Sequence, residues 1–162
     1  MSVFISGASS GIGEACARAF AASRHNLVLA ARRGDRLQKL SRELQDQYGV
    51  QATPLVMDVR DRAGIEKLAQ EHSELFGQVE VLINNAGLAK GRDVIQNGKP
   101  EDWDLMIDTN LKGLLYVTRT FLPLHDSKKA GPYRQYWFGG GSVGLSEWKC
   151  VLRLQIWCQS AL

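Results

Sequence analysis

Apolar positions along the chain switch repeatedly between two periods. Val3-Phe4-Ile5 is a short continuous apolar run suited to a buried strand. Ile12, Ala15, Cys16, Ala19 and Phe20 then fall at i, i+3, i+4, i+7 and i+8, the stripe of an amphipathic helix. Leu27-Val28-Leu29-Ala30-Ala31 is a second strand, apolar throughout as expected when both sheet faces are covered. Asp35 is placed to cap a helix carrying Leu37, Leu40, Leu44 and Tyr48, stopped by Gly49. Leu55-Val56-Met57 is a third strand with Pro54 at its start, and Asp61 to Phe76 a helix through Ile65, Leu68, Ala69 and Leu75. Val79 to Ile83 forms a fourth strand that runs into Asn84-Asn85-Ala86-Gly87. After a polar loop from Leu88 to Lys99, Pro100 opens a long helix whose stripe is Trp103, Met106, Ile107, Asn110, Leu111, Leu114 and Leu115. Strands recurring about every 25 residues with helices between them belong to repeated βα units and a parallel sheet.

The rhythm stops near Gly131. Tyr133 to Gly141 follows neither period, and Trp137, Trp148 and Trp157 crowd the end of the chain. Residues 1–131 therefore read as one domain, and 132–162 as an aberrant tail, poorly ordered or wrongly packed, with no signal for a fifth strand. The fourth strand would then lie at an exposed apolar edge, an aggregation hazard.

Composition changes little in this picture. Hydrophobic residues make up 44% and charged residues 23% of 162, ordinary values for a soluble globular chain. A net charge of +3 is too mild to argue for nucleic acid or an anionic membrane, and no apolar run is long enough to span a bilayer. Cys16, Cys150 and Cys158 form neither a metal-type pair nor a disulfide framework, and no metal site is expected. His25, His72 and His125 are scattered and polar-flanked, so none reads as catalytic. With no signal-peptide layout before the strand at Val3, the expected compartment is the cytoplasm.

The chemistry concentrates at the ends of the predicted strands. The first strand runs into Ser6-Gly7-Ala8-Ser9-Ser10-Gly11-Ile12-Gly13 and then directly into a helix. Glycines there permit a tight turn and close approach of a pyrophosphate, to which the helix N-terminus offers free N–H groups and partial positive charge. The spacing is a stretched form of the usual glycine pattern, with three residues between the first two glycines. The second strand ends Ala31-Arg32-Arg33, with no acid for a ribose 2′-hydroxyl. Two guanidiniums suit a 2′-phosphate instead, which favours NADP over NAD; the alternative is a pair of solvated loop arginines. Asp58-Val59 and Asn84-Asn85-Ala86-Gly87 close the third and fourth strands at the same sheet edge, although Asp58 serves equally well as a cap for the helix near Asp61. Asn110, in the middle of an apolar stripe, needs partners for its amide: backbone pairing is one answer, a catalytic water site the other.

Taken together and in this order, the glycine turn, Ala31-Arg32-Arg33, Asp58-Val59, Asn84-Asn85-Ala86-Gly87 and Asp108-Thr109-Asn110-Leu111-Lys112-Gly113 resemble a short-chain dehydrogenase/reductase over residues 1 to about 131. The resemblance implies that Gly7, Ser9, Gly11, Ile12 and Gly13 hold the pyrophosphate with Ser10 close by. It places Arg32 and Arg33 on the 2′-phosphate, Asp58 and Val59 on the adenine, and Asn85, Ala86 and Gly87 along the adenosine ribose. Asn110 would anchor a relay water. Asn84 to Ala89 and Trp103 to Arg119 are further similar to NADP-dependent 3-hydroxy acid (serine-type) dehydrogenases. The implied fold is α/β, a Rossmann-type doubly wound parallel sheet cut short, with strands in the order 3-2-1-4 and helices on both faces. The implied function is hydride transfer between NADP(H) and a small hydroxy or keto compound. A small-molecule substrate is the expected partner. Homo-oligomers are implied for intact members and not for this chain, because the family's assembly helices fall in or beyond the altered region.

The family's chemistry also needs a Ser and a Tyr-x-x-x-Lys, the tyrosine as proton donor and the lysine lowering its pKa. No Tyr here has Lys four residues later: Tyr133 meets Trp137, and Tyr136 meets Gly140. The expected result is negligible turnover, and the alternative class is a non-catalytic NADP-binding or partner-binding module. The genetic code suggests where the missing residues went. Taking the last two bases of each codon with the first of the next, Gln135 to Gly139 permits Asn-Ile-Gly-Ser, with its Gly forced by Trp137. Glu147 to Leu152 permits Asn-Gly-Asn-Val-Tyr, and Gln155-Ile156 permits only Lys or Arg, four places after that Tyr. A reading-frame slip near Gly131-Pro132 would account for the tail; the alternative is a coincidence allowed by degenerate codons. The coding DNA is expected to show the Tyr-x-x-x-Lys in the neighbouring frame, and a stop codon there would end the idea.

Overall fold

The computed structural model of the chain describes residues 1–91, 93–126, 134–137 and 141–142. Four parallel strands form its centre: β1 (Ser2–Ser6), β2 (Asn26–Ala31), β3 (Ala52–Val56) and β4 (Val79–Asn84). They lie side by side as β3-β2-β1-β4, the expected order. Strand alternation divides the core into two layers. Val3, Ile5, Leu27, Leu29, Val81 and Ile83 pack under helices α1 (Gly11–Ala22) and α2 (Gly34–Tyr48). Phe4, Val28, Ala30 and Leu82 face the other way, toward α3 (Arg62–Glu71), α4 (Ser73–Phe76) and α6 (Leu114–Asp126). The fold is thus a doubly wound Rossmann-type sheet, and the carboxyl ends of all four strands emerge on one edge.

Several local expectations are corrected. α1 buries Gly13, Ala17 and Ala21 rather than the predicted stripe, with Cys16 and Phe20 half-buried and Ile12 57% exposed. Small side chains at i, i+4 and i+8 let the helix lie close on the sheet, and proximity rather than hydrophobicity decides which face turns in. α2 is capped by Arg33, not Asp35, which sits in the first turn where its charge favours the helix dipole. Pro54 lies inside β3 rather than at its start, tolerated because β3 is an edge strand. The predicted 61–76 helix is split at His72 into α3 and α4.

The long helix from Pro100 is also not continuous. α5 (Pro100–Ile107) passes into a π-helical segment, Asp108–Gly113, before α6 begins. Across it Thr109, Gly113, Leu114, Val117 and Phe121 are buried, while Ile107 and Leu115 from the predicted stripe are exposed.

A fifth strand, β5 (Arg134–Trp137), pairs in parallel with β4, and β6 (Gly141–Ser142) pairs antiparallel with β5. This corrects the expectation of no strand after β4 and of an exposed β4 edge. Four residues are too few to show a period, but the free N–H and C=O groups of an apolar edge accept a short, aromatic-rich segment. The rest of the 132–162 tail, including Cys150, Cys158, Trp148 and Trp157, lies outside the described residues. Among the described residues no helix is long and apolar enough to cross a membrane.

Candidate functional site

At the carboxyl edge of the sheet lies a cleft of about 510 Å³, lined by the end of β2, by the segments that follow β1 to β4 and by the π-helical segment. Every residue assigned to the cofactor from sequence lines it except Gly11 and Gly13: Gly7, Ser9, Ser10 and Ile12 from the glycine turn, Arg32 and Arg33 after β2, Asp58 and Val59 after β3, and Asn85, Ala86 and Gly87 after β4.

The floor is stitched by Ser6, which the sequence reading did not single out. Its Oγ accepts from the backbone N–H groups of Asn85 and Ala86, each at 3.1 Å, and donates to the Ile83 carbonyl at 3.4 Å. Asn85 returns the contact, its Nδ2 donating to the carbonyls of Ser6 at 3.1 Å and Gly7 at 3.3 Å. The β1 turn and the β4 turn are thereby locked together. Gly7 sits at φ +69°, and a Cβ there would come within 2.8 Å of the Ala86 Cα. Only glycine lets the two turns approach so closely.

Arg33 reaches back over the glycine turn. Its Nη2 donates to Ser9 Oγ at 3.0 Å and Ser10 Oγ at 2.6 Å, and its Nε to Ser9 Oγ at 3.2 Å. Ser10 is the extended N-cap of α1 and makes no side-chain bond to the first turn, which leaves that helix end open toward the cleft. A fixed guanidinium, two hydroxyls and an open helix N-terminus converge on one place. That donor set fits the phosphates of a dinucleotide.

Asp58 does not cap a helix. Asp61 does, its Oδ1 accepting from Gly64 N–H at 3.0 Å. Asp58 is instead gripped by Arg60, and this bond holds its carboxyl below the usual carboxylate range. Arg60 and Thr109 line the cleft and were missed from sequence. Arg60 carried a signal in its place two residues beyond Asp58. Thr109 carried none: it is a polar residue off the predicted apolar stripe. Its buried Oγ1 has no hydrogen-bond partner among the described residues.

Asn110 is half-buried and does not line the cleft. Its Oδ1 accepts from Leu88 N–H and its Nδ2 donates to Leu88 O, both at 2.8 Å. Backbone pairing thus accounts for the amide on the apolar stripe. The pair fixes the chain directly after Gly87, where a Cβ would lie 3.2 Å from Asn110 Oδ1.

Residues 1–132 match the short chain dehydrogenase family. The NADP-dependent 3-hydroxy acid dehydrogenase YdfG of Salmonella typhi is 42% identical over 123 residues, covering 76% of this chain and 48% of that protein. Sulfoacetaldehyde reductase 2 of Chromohalobacter salexigens is 44% identical over 121 residues, covering 75% and 47%. Among solved structures, an alcohol dehydrogenase from the archaeon Thermococcus sibiricus, complexed with 5-hydroxy-NADP, superposes with a TM-score of 0.71 at 37% identity, covering 75% of this chain and 52% of that one. The chain spans about half the length of the relatives it matches. With the family match covering most of a chain whose glycine turn and cleft stand at the carboxyl edge of its parallel sheet, the chain belongs to the short chain dehydrogenase family.

Proposed function

We propose that the cleft binds NADP and that the protein derives from an oxidoreductase moving hydride between NADP(H) and a small hydroxy or keto compound, of which a 3-hydroxy acid is the first candidate. The observation that carries this is Arg33 fixed over Ser9 and Ser10, with Arg32 beside it on the cleft wall and no acid at the end of β2. NADP would supply the hydride-accepting ring. The chain's own part is to hold the phosphates with the glycine turn, Arg32 and Arg33, and to seat the adenosine against Asp58, Val59 and Asn85 to Gly87. Asn110 as the anchor of a relay water belongs to the same proposal, and a π turn at a functional position is a recurrent arrangement. The relatives' names divide between 3-hydroxy acids and sulfoacetaldehyde, so the likeness supports a small polar substrate class more firmly than any one compound.

Titration of the 162-residue chain with NADP and NAD tests the reading. NADP is expected to bind more tightly than NAD. Arg32→Ala and Arg33→Ala are each expected to weaken NADP roughly tenfold to a hundredfold, since a hydrogen bond to a charged group contributes about 1.5–3 kcal/mol. Equal affinity of all these forms for NADP would refute the assignment. Turnover of 3-hydroxy acids by this chain is expected to stay at background, because no Tyr-x-x-x-Lys stands in its sequence.

A further inference from the structure

Arg60 makes an unusual return along the chain. Its Nε donates to Asp58 Oδ1 at 3.0 Å and its Nη2 to Oδ2 at 2.6 Å, while its backbone N–H adds a further bond to Oδ1 at 3.0 Å. One guanidinium fork thus holds both oxygens of the carboxylate, the geometry in which such pairs are strongest. As a stabilising contact it is minor, because both side chains are partly exposed, at 37% and 28%. Its position matters more. Arg60, Asp58, Arg32 and Arg33 all line the cleft, and the charge of Arg32 also reaches Asp58. A bare carboxylate among these groups would offset one of the two cations offered to a 2′-phosphate and would repel the phosphate itself. Asp58 already feels the charge of Arg32, so an unpaired carboxylate there acts on the same cations.

We infer that Arg60 is a specificity-determining residue of the cleft: paired with Asp58, it cancels the carboxylate's charge so that Arg32 and Arg33 act undiminished on the 2′-phosphate that distinguishes NADP from NAD. Asp58 remains an acceptor for the base without acting as an anion toward the phosphate. This rests on the cofactor reading proposed above.

The test is the ratio of NADP to NAD affinity, measured by titration of the full 162-residue chain at low salt. Arg60→Gln is expected to lower that ratio about tenfold, mostly through NADP. Arg60→Lys keeps the charge and is expected to hold the ratio within about threefold of the parent. Adding Asp58→Asn to Arg60→Gln removes the exposed charge, and the ratio is expected to return, because any loss at the base affects both cofactors alike. A ratio unchanged in Arg60→Gln overturns the inference, as does a fall in both affinities together. A double variant as poor as Arg60→Gln also overturns it, since that outcome puts Arg60 on the phosphate directly. If the unsubstituted chain binds neither cofactor, the cofactor reading itself fails and the inference falls with it; if it binds NADP and only the ratio is unmoved, the inference alone fails.

Discussion

Gly13→Ala is expected to cost about 3 kcal/mol of folding free energy, at the upper end of what overpacking usually costs. A Cβ at this position would lie 2.4 Å from the Gly7 carbonyl oxygen and 2.4 Å from Asn85 Nδ2. Neither neighbour can yield cheaply. Gly7 belongs to the turn that ends β1, and Asn85 Nδ2 is bonded to the carbonyls of Ser6 and Gly7. The added methyl must push α1 off the sheet, and Ala17 and Ala21 on the same buried face move with it. Urea unfolding followed by circular dichroism should show the midpoint falling by about 1.5 M, taking a slope near 2 kcal/mol per M. Gly11→Ala is the control. Gly11 has φ +58° but nothing within 4 Å of a Cβ, so its cost is confined to backbone strain, about 1–2 kcal/mol. A Gly13→Ala midpoint no lower than that of Gly11→Ala would show that the helix–turn contact is not tight.

Phe121→Ala is expected to be as damaging on the opposite face of the sheet, costing about 3–5 kcal/mol. Phe121 is 2% exposed; its ring lies 4.5 Å from that of Phe4 and stacks on that of Phe76 at 4.6 Å, while Phe4 and Phe76 meet edge-on at 5.9 Å. The three rings join α6, β1 and α4, which are far apart in sequence. Removing one ring leaves a void that two strand- and helix-bound neighbours cannot fill by small movements. Phe121→Leu should recover roughly half of the loss, and Phe76→Ala combined with Phe121→Ala should cost less than the sum, because the two share one cavity. Additive costs in that double variant, read from the same urea curves, would mean that the rings contribute independently.

Much of the site was legible because each piece is local. Gly7 to Gly13 join a strand to a helix within a few residues, and a turn that tight has few chemical solutions. Arg32 and Arg33 follow β2 directly, and Asp58 and Asn85 close β3 and β4, so the parallel sheet carries them to one edge without further help. Arg60, Ser6 and Thr109 were not read. Arg60 acts through a side chain folded backwards, Ser6 through a contact with residues nearly eighty positions away, and Thr109 from a helix face off the apolar stripe.

The alternating periods were enough for four strands and the helices between them; the order β3-β2-β1-β4 came from the family resemblance, with right-handed crossovers consistent with it. Tertiary structure decided the rest. Which face of α1 turns inward depended on how closely Gly13, Ala17 and Ala21 can approach β1. The π turn at Asp108–Gly113 left no mark in the apolar period. β5 depended on an open edge that exists only once β4 has found its place. A period reports what a segment can bury, but not which neighbour will be there to bury it.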